Sequence, residues 1–416
     1  MLTTRTRLAL VFAGASIATA IGRSQSTDLD TTDRVIVASR IYALVQQFFA
    51  HWEGASRSSV EDAYRLYVDQ AVHGSSRRDF DLATLRFVAS LHNGHTQFTD
   101  AQADGRPLKF RLLEVEGRWV VIGSQDSRLL RGSVIHTIDG IAVDDWVREK
   151  SAYVDASNER LARTRVFNYP LLFGDRIALG LDDDRTVDVD RGVPPDVPFV
   201  APQPVEGRWL HEGAVAYIRI SSFGDLANER AALELVRQFA TAHSLIVDVR
   251  GNGGGTTPRQ LIGALMNRPW RWWIESSPQR LVLLDAMIGG ADGFAPLQVG
   301  RENVLQSPSA DAYHGRVFVL VDRFCISACE DFVMPFKTTG RGTVVGELTA
   351  GSSGNPRRVD LGNGMRVSIG AIRYRFPDGS AFEGVGIAPD VAIERRIADI
   401  LANRDSALEQ ARQLAR

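Results

Sequence analysis

The feature that most constrains the fold is a run of alternating strand and helix patterns that begins near residue 207. Two continuous apolar segments, SLIVDV (residues 244–249) and RVFVLV (residues 316–321), have the composition of strands buried on both faces. Helical patterns cover residues 231–240, before the first segment, and residues 258–266, between the two. Strands that alternate with helices form sheets with parallel pairs and right-handed crossovers. The sequence therefore predicts an α/β core over residues 206–397.

Two regions of different character precede this core. From about residue 32 to residue 91, apolar side chains recur at helical spacing, which predicts an N-terminal helical domain over residues 23–105. From residue 107 the pattern changes to short strands joined by turns such as Asp139-Gly140, which predicts a β-rich module over residues 106–205. Residues 398–416 are predicted to form a C-terminal helix or tail.

The first residues have the pattern of a secretory signal peptide. MLTTRTRLALVFAGASIATA combines two arginines with an uncharged apolar stretch and a small-residue cleavage site. The apolar stretch is short and diluted by Gly, Ser and Thr, so we expect cleavage rather than a retained membrane anchor. The sequence thus predicts a signal peptide over residues 1–22 and an exported protein, periplasmic or extracellular, with no stable membrane span after cleavage.

Charge and cysteine content narrow the class of protein. The 416-residue chain has a formal net charge of -2 and 44% hydrophobic residues, and no basic footprint for nucleic acid. Its two cysteines, Cys325 and Cys329, are too few for a disulfide scaffold. Without a local histidine they also fall short of a four-ligand metal site. We expect no metal and no cofactor. We favour the interpretation that the two cysteines are small, buried, unpaired side chains. In an oxidising compartment they could instead form a disulfide.

Ser327 follows the second apolar strand and precedes a helical pattern that runs to about Lys337. Ser327 and Glu330 form the sequence of a capping box, which satisfies backbone donors at a helix start, and local sequence alone favours this role. The same position places the hydroxyl at the positive end of a helix, beside the Ala328 amide. Those conditions suit a nucleophile and half of an oxyanion hole. A hydroxyl nucleophile still needs a base to take its proton.

Two other segments supply candidates for the remaining parts of a site. Residues 248–258, DVRGNGGGTTP, run from a buried strand into glycines whose amides can bind a carbonyl oxygen. They lack the Lys-Ser/Thr of a P-loop, and Thr256 replaces the third glycine of a dinucleotide motif, so a plain tight turn is the alternative. His95 directly follows Asn93-Gly94, where a helical pattern ends, and this helix end restricts the position of the histidine. A lone histidine in that position is usually exposed and inert.

Five segments occur in the order seen in the tail-specific, or C-terminal processing, serine peptidases. They are GAVAYIRISSF, SLIVDVRGNGGG, FCISACEDF, VVGELTAGSSG and FPDGSAFEGVGIAPDV. The resemblance covers residues from about 207 to 395 and implies a ClpP/crotonase-like α/β core. A further segment, GSVIHTIDGIAVDDW, resembles part of the PDZ-like module that often precedes this core. The resemblance therefore implies that the β-rich module is PDZ-like.

The resemblance also implies roles for individual residues. Ser327 matches the family's nucleophile in its Ser-Ala-x-Glu segment. The Ala328 amide and a glycine amide of Gly253-Gly254 match the oxyanion hole. Bacterial processing peptidases carry a general-base lysine at the position of Ser352, so a Ser-Lys dyad is excluded here.

The tricorn-like branch of the family uses a histidine as the base instead. The segment LHNGHTQF resembles that branch and implies His95 as the base, with Glu383 as the glutamate that orients it. Tricorn has a serine directly before its base, where this chain has Gly94. The orienting hydrogen bond must then come from elsewhere, and Thr96 and Ser353 are the candidates.

These observations predict a secreted serine peptidase that hydrolyses peptide bonds through an acyl-enzyme, with Ser327 as nucleophile and His95 as general base. Its partner is expected to be a polypeptide substrate, held in extended form at a strand edge. Two alternatives stay open, namely a non-catalytic binding protein on the same fold and a small-ester hydrolase. The retained serine and histidine favour the enzyme. The sequence does not identify the substrate-binding residues.

Overall fold

The structure, a computed structural model, describes residues 29–198, 202–211, 213–279, 295–297 and 304–416. The predicted signal peptide, residues 1–22, lies outside the described residues. The α-helices are α1 (Thr31–Phe48), α2 (Arg57–His73), α3 (Arg77–Ala89), α4 (Val143–Lys150), α5 (Glu159–Arg165), α6 (Leu226–Gln238), α7 (Arg259–Leu265), α8 (Ala328–Thr339), α9 (Ile397–Leu401) and α10 (Ser406–Ala415). Short 3-10 helices cover Ser151–Tyr153, Val166–Asn168 and Pro170–Leu172.

The strands fall into the regions that the sequence distinguishes. The first strand of the chain and those of the β-rich region are β1 (Gln97–Asp100), β2 (Phe110–Val115), β3 (Arg118–Ser124), β4 (Val134–Ile138), β5 (Ile141–Ala142), β6 (Arg176–Leu181) and β7 (Thr186–Asp190). Those that follow are β8 (Val205–His211), β9 (Val215–Ile220), β10 (Ser244–Asp248), β11 (Trp270–Arg271), β12 (Ile274–Gln279), β13 (Ala295–Leu297), β14 (Leu305–Gln306), β15 (Arg316–Val321), β16 (Gly342–Gly346), β17 (Arg357–Gly362), β18 (Met365–Ile369), β19 (Arg373–Arg375) and β20 (Val391–Ala392).

The α/β fold with N-terminal helices, predicted from the sequence, is confirmed. A six-stranded sheet has the order β20-β16-β15-β10-β9-β8 and is parallel except for the antiparallel edge strand β8. The two apolar segments are its central strands, β10 and β15. Helices α6, α7 and α8 cover one face and α10 covers the other, so these strands are buried on both sides.

The N-terminal helices pack on a hairpin of the core rather than standing apart from it. Helices α1, α2 and α3 share a hydrophobic cluster with strand β18, which includes Ile41, Phe80 and Val367. Strand β1 also pairs antiparallel with β18, and Phe98 lies opposite Val367 in that pairing. This pairing fixes the chain on both sides of His95, because α3 lies before it and β1 directly after it.

The β-rich region forms a sheet of its own, in the order β2-β3-β4-β6-β7, with β5 paired to β4. Aromatic side chains of this region, among them Trp119, Trp146 and Phe167, form its hydrophobic core. The PDZ-like identity of the region stays a prediction. No helix in the described part of the chain is long and apolar enough to cross a membrane.

Candidate active site

Ser327 and His95 line one cavity of about 520 Å³, although the sequence separates them by more than two hundred residues. The loops after β10 and β15 leave the carboxyl ends of adjacent parallel strands, where ligand crevices of α/β sheets form. His95 enters from the junction between α3 and β1. The described hydrogen bonds include none directly between Ser327 and His95. No group of three or more metal-ligating side chains occurs in the described part of the chain.

The backbone of Ser327 adopts an uncommon conformation, with φ 61° and ψ -125°. A positive φ is strained for a residue with a side chain and persists only where the surroundings hold it, as they often do at functional sites. The Ser327 amide donates to the Ser352 carbonyl at 2.9 Å. The predicted capping box is present, and the Glu330 carboxylate accepts a second bond from the same amide at 3.2 Å. The cap therefore holds the backbone of the candidate nucleophile.

Glu330 is fully buried and connects the Ser327 turn to the loop that follows β16. Its carboxylate accepts hydrogen bonds from the Thr349 hydroxyl at 2.6 Å, the Gly351 amide at 2.7 Å and the Ser352 amide at 3.0 Å. Burial raises the pKa of Glu330 to about 8, and these donors oppose the rise. A buried carboxyl group with this many donors fixes the relative position of the two loops.

The two cysteines of the chain form a disulfide that spans Ser327. Cys325 and Cys329 are both buried, with Cα atoms 5.4 Å apart. The preference for unpaired cysteines was therefore wrong. The turn and the first residues of α8 bring the two Cβ atoms within reach of each other, which spacing alone does not reveal. The bond adds a covalent restraint around the candidate nucleophile.

The backbone amides of Gly253 and Ala328 have no protein acceptor within the described residues. Both line the same cavity and are available to a carbonyl oxygen. The Gly254 amide donates to the Asn252 side chain at 2.8 Å, so of the predicted glycine pair only the Gly253 amide is left without a protein acceptor. Gly254 has a different role. A Cβ atom there would lie 2.8 Å from the Ser327 Cβ, so only glycine allows this approach.

A chain of hydroxyl groups connects His95 to Glu383. The His95 Nδ1 lies 3.0 Å from the Ser352 Oγ, which in turn lies 3.5 Å from the Glu383 Oε1. The Ser157 Oγ bonds both to the Ser352 Oγ at 2.9 Å and to the Glu383 Oε1 at 2.5 Å. This relay, defined as His95, Ser352, Ser157 and Glu383, fixes the imidazole through Nδ1. It leaves Nε2 as the ring nitrogen available to a substrate or to Ser327.

The two residues suggested from the sequence to orient His95 do not do so. The Thr96 hydroxyl donates to the Asn93 side chain at 3.0 Å and accepts from the Gly370 amide. Ser353 contributes only its backbone amide, which donates to Glu383 at 3.2 Å. Both assignments were therefore wrong.

Burial shifts the pKa values of the two titratable residues of the relay, His95 and Glu383. Burial, with a smaller contribution from the Arg165 guanidinium, lowers the pKa of His95 to about 3. The imidazole is therefore neutral and able to accept a proton at neutral pH. Burial also raises the pKa of Glu383 to about 7, against the opposing hydrogen bond from Ser157. A carboxylate at this position can stabilise an imidazolium, but only when it is ionised.

Sequence comparisons agree with this geometry. Residues 214–393 match the family model described as Peptidase family S41. The similarity to this family covers less than half of the chain. The chain is 27% identical over 190 residues to the chloroplastic C-terminal processing peptidase of Tetradesmus obliquus, covering 44% of this chain and 36% of the relative. It is 26% identical over 212 residues to the tricorn protease of Thermoplasma acidophilum, covering 49% and 17%. The chain thus matches about a third or less of each of these curated relatives.

Solved structures extend the likeness of fold beyond the family S41 segment. Mature CPAF complexed with lactacystin superimposes with a TM-score of 0.73 at 14% identity, covering 92% of this chain and 98% of that chain. The photosystem II D1 C-terminal processing protease superimposes with a TM-score of 0.51 at 18% identity, covering 87% and 93%. At these identities the likeness shows the fold alone. Over residues 214–393 the chain is thus similar in sequence to a family of peptidases.

The departure at Gly94 from the tricorn pattern has a structural reason. A Cβ atom at Gly94 would lie 2.8 Å from the Ser352 Oγ and 3.1 Å from the Leu161 side chain. The space that a side chain at residue 94 would fill is therefore taken by the hydroxyl that bonds His95. The hydroxyl next to His95 therefore comes from residue 352 and not from residue 94.

Gly94→Ala is expected to lower kcat for peptide hydrolysis by about 100-fold with little change in KM. The added methyl group would displace the Ser352 hydroxyl, and displacements of about 1 Å in catalytic groups have effects of this size. Steady-state kinetics would measure the change. Gly263→Ala in α7 is the matched control, because a Cβ atom there meets nothing within 4 Å. Wild-type kcat in a folded Gly94→Ala variant would contradict the assigned role of Ser352.

Three site residues went unrecognised in the sequence, and one of them, Ser352, was noted only as the position of an absent lysine. Ser157 carried no signal, because its partners Ser352 and Glu383 lie 195 and 226 residues away. Asn93 was identified only as a helix end, yet its side chain donates to Glu383 at 3.0 Å and accepts from the His95 amide at 3.1 Å. Its place two residues before the base, within the LHNGHT segment, was the available signal.

Proposed function

We propose that this protein is an exported serine peptidase that hydrolyses peptide bonds through an acyl-enzyme on Ser327. The observation that carries the proposal is the cavity shared by Ser327, His95 and the free amides of Gly253 and Ala328. The relay to Glu383 behind His95 adds support. The similarity to a C-terminal processing peptidase and to a tricorn protease supports it as well.

In the proposed reaction, the Ser327 Oγ attacks the carbonyl carbon of the scissile peptide bond as its proton passes to the His95 Nε2. The imidazolium then donates from Nδ1 to Ser352 and, through the hydroxyl relay, is stabilised by the Glu383 carboxylate. The amides of Gly253 and Ala328 bind the oxyanion. His95 returns its proton to the leaving amine, and a water molecule activated by the same base releases the acyl group.

The substrate proposed is an extended polypeptide paired with a strand edge of the β-rich region. Strands β2 and β7 are the outer strands of that sheet, so each has one edge to which an added strand can bond. Export is supported by the signal-peptide pattern at residues 1–22. The Cys325–Cys329 disulfide also supports it, because such bonds persist in oxidising compartments.

Incubation with an unstructured protein such as casein tests the proposal. We expect new peptide termini, detected by mass spectrometry, that are missing with a Ser327→Ala variant. Hydrolysis of p-nitrophenyl acetate without any peptide cleavage would favour the small-ester hydrolase. Peptide binding with neither reaction would favour the non-catalytic binding protein.

The rate of peptide hydrolysis is expected to rise with pH through about 7, the pKa to which burial raises Glu383. Below that pH Glu383 is protonated and cannot stabilise the imidazolium, so kcat/KM should fall about tenfold for each further pH unit. The fall in rate below pH 7 is not caused by protonation of His95, because the pKa of His95 is lowered to about 3. Glu383→Gln should lower the rate and flatten the profile. A wild-type profile that is level from about pH 5 to pH 8 would contradict the role of Glu383.

A further inference from the structure

His51 is a buried histidine to which the proposed mechanism assigns no role. It lies three residues after the end of α1, and its side chain is only 4% exposed. Neither ring nitrogen has a partner with full hydrogen-bond geometry within the described part of the chain, and the Ile372 backbone is a weak neighbour that raises the pKa of the ring slightly. Buried polar groups without partners are rare in native proteins, so the position of this ring calls for a specific explanation.

The ring is held beside the relay by its surroundings. Its Nδ1 lies 3.9 Å from the Glu383 Oε1, the oxygen that also accepts from Ser157. The Ala50 amide bonds to the Gly370 carbonyl at 2.9 Å, which fixes the backbone directly before the ring. A Cβ atom at Gly370 would lie 3.3 Å from the His51 Cδ2, so the ring packs closely against that backbone.

The charged and titratable groups that act on His51 define its state. They are the Glu383 carboxyl group, the Arg373 guanidinium and the His95 ring. Burial and then Arg373 lower the pKa of His51 to about 3, while the Ile372 backbone opposes the shift. His51 is therefore neutral at the working pH of the proposed peptidase. A neutral imidazole can still donate one N–H, and the tautomer protonated at Nδ1 directs it to Glu383.

We propose that His51 is a positioning residue whose Nδ1–H stabilises the ionised form of Glu383 while His95 carries the proton. The inference rests on the proposed function, because an ionised Glu383 matters only to a relay that stabilises an imidazolium. No proton leaves His51 in the cycle, since the proton of Ser327 passes to the His95 Nε2 and returns from there. At 3.9 Å the interaction is electrostatic, and it becomes a hydrogen bond after a movement of about 1 Å.

Two substitutions of His51 distinguish a role of its N–H as a hydrogen-bond donor from a role of its ring in packing. His51→Phe keeps a ring of similar size and removes both nitrogens, whereas His51→Gln keeps a neutral N–H donor. We expect His51→Phe to raise the pKa of Glu383 by about one unit, because the ionised form loses a donor, and His51→Gln to restore most of the shift. His73→Phe, at an exposed histidine of α2, is the matched control and should change nothing.

The direct readout is an NMR titration of protein labelled with ¹³C at the glutamate carboxyl carbons, with the Glu383 signal assigned by its loss in Glu383→Gln. A second readout is the pH profile of kcat/KM. There, His51→Phe should lose about tenfold near pH 6 and little near pH 9. An unchanged Glu383 titration in His51→Phe, or an equal shift in His51→Gln, would overturn the inference. A uniform loss of rate at every pH would also overturn it, because it would indicate a packing role alone.

The two proposals fail in different ways. If the wild-type protein cleaves no peptide but the Glu383 titration shifts as expected, the proposed function is wrong and the positioning role of His51 stands. If His51→Phe does not fold, ¹⁵N NMR of the wild-type imidazole groups decides the matter. The inference requires the proton of His51 on Nδ1, and a ring protonated only at Nε2 would overturn it.

Discussion

Ser327→Ala is expected to lower kcat for peptide hydrolysis by about 10⁴-fold or more, because it removes the nucleophile that forms the acyl-enzyme. The residual rate would come from binding and from the free amides of Gly253 and Ala328, which the substitution leaves in place. Single-turnover kinetics with excess enzyme would measure the change in the chemical step itself.

The fold should tolerate this substitution, because the Ser327 amide keeps its bonds to the Ser352 carbonyl and the Glu330 carboxylate when the hydroxyl is removed. We therefore expect a melting temperature close to that of the wild type. Ser309→Ala, at an exposed serine outside the cavity, is the matched control and should keep full activity. A Ser327→Ala protein that retains more than about 1% of the wild-type rate would exclude Ser327 as the nucleophile.

His95→Ala is expected to have an effect of similar size, a loss of about 10⁴-fold in kcat, because the Ser327 hydroxyl then has no base. His95 is buried, so its removal also leaves a cavity and takes one partner from the Ser352 hydroxyl. His95→Gln is the better second variant, since its amide can bond to Ser352 but cannot accept the proton. Both variants should be inactive, and steady-state kinetics would measure the loss.

His73→Ala is the control for general effects of losing a histidine, because His73 is exposed on α2. Thermal unfolding should show that His95→Gln keeps the fold. Substantial peptide hydrolysis by folded His95→Gln would mean that another group activates Ser327. In that case the relay through Ser352 and Glu383 would serve packing rather than catalysis.

The parts of the fold that sequence could predict are those set by local pattern. The apolar runs of β10 and β15 are buried on both faces of one sheet, so composition alone marked them as central strands. The place of Ser327 followed from a strand that ends where a helix begins. His95 was recognised through the segment LHNGHTQF and its resemblance to a known branch, since helix spacing by itself gave only a weak case.

The parts that sequence could not predict depend on contacts between distant residues. Ser352 orients His95 across 257 residues, and Ser157 reaches the relay from the β-rich region. The choice between the amides of Gly253 and Gly254 depends on the bond that the Gly254 amide donates to the Asn252 side chain, which requires the folded turn. Because tricorn has a serine directly before its base, the sequence suggests an orienting hydroxyl among residues such as Thr96. The structure instead supplies the hydroxyl from a loop that residue 94 can approach only as glycine.

The most direct test of the account is covalent labelling with a fluorophosphonate, followed by mass spectrometry of the labelled peptide. The account predicts one label, on Ser327, at a rate that falls by about 10³-fold or more in His95→Gln. A label on a different residue, or a label on Ser327 that forms at the wild-type rate without His95, would contradict it.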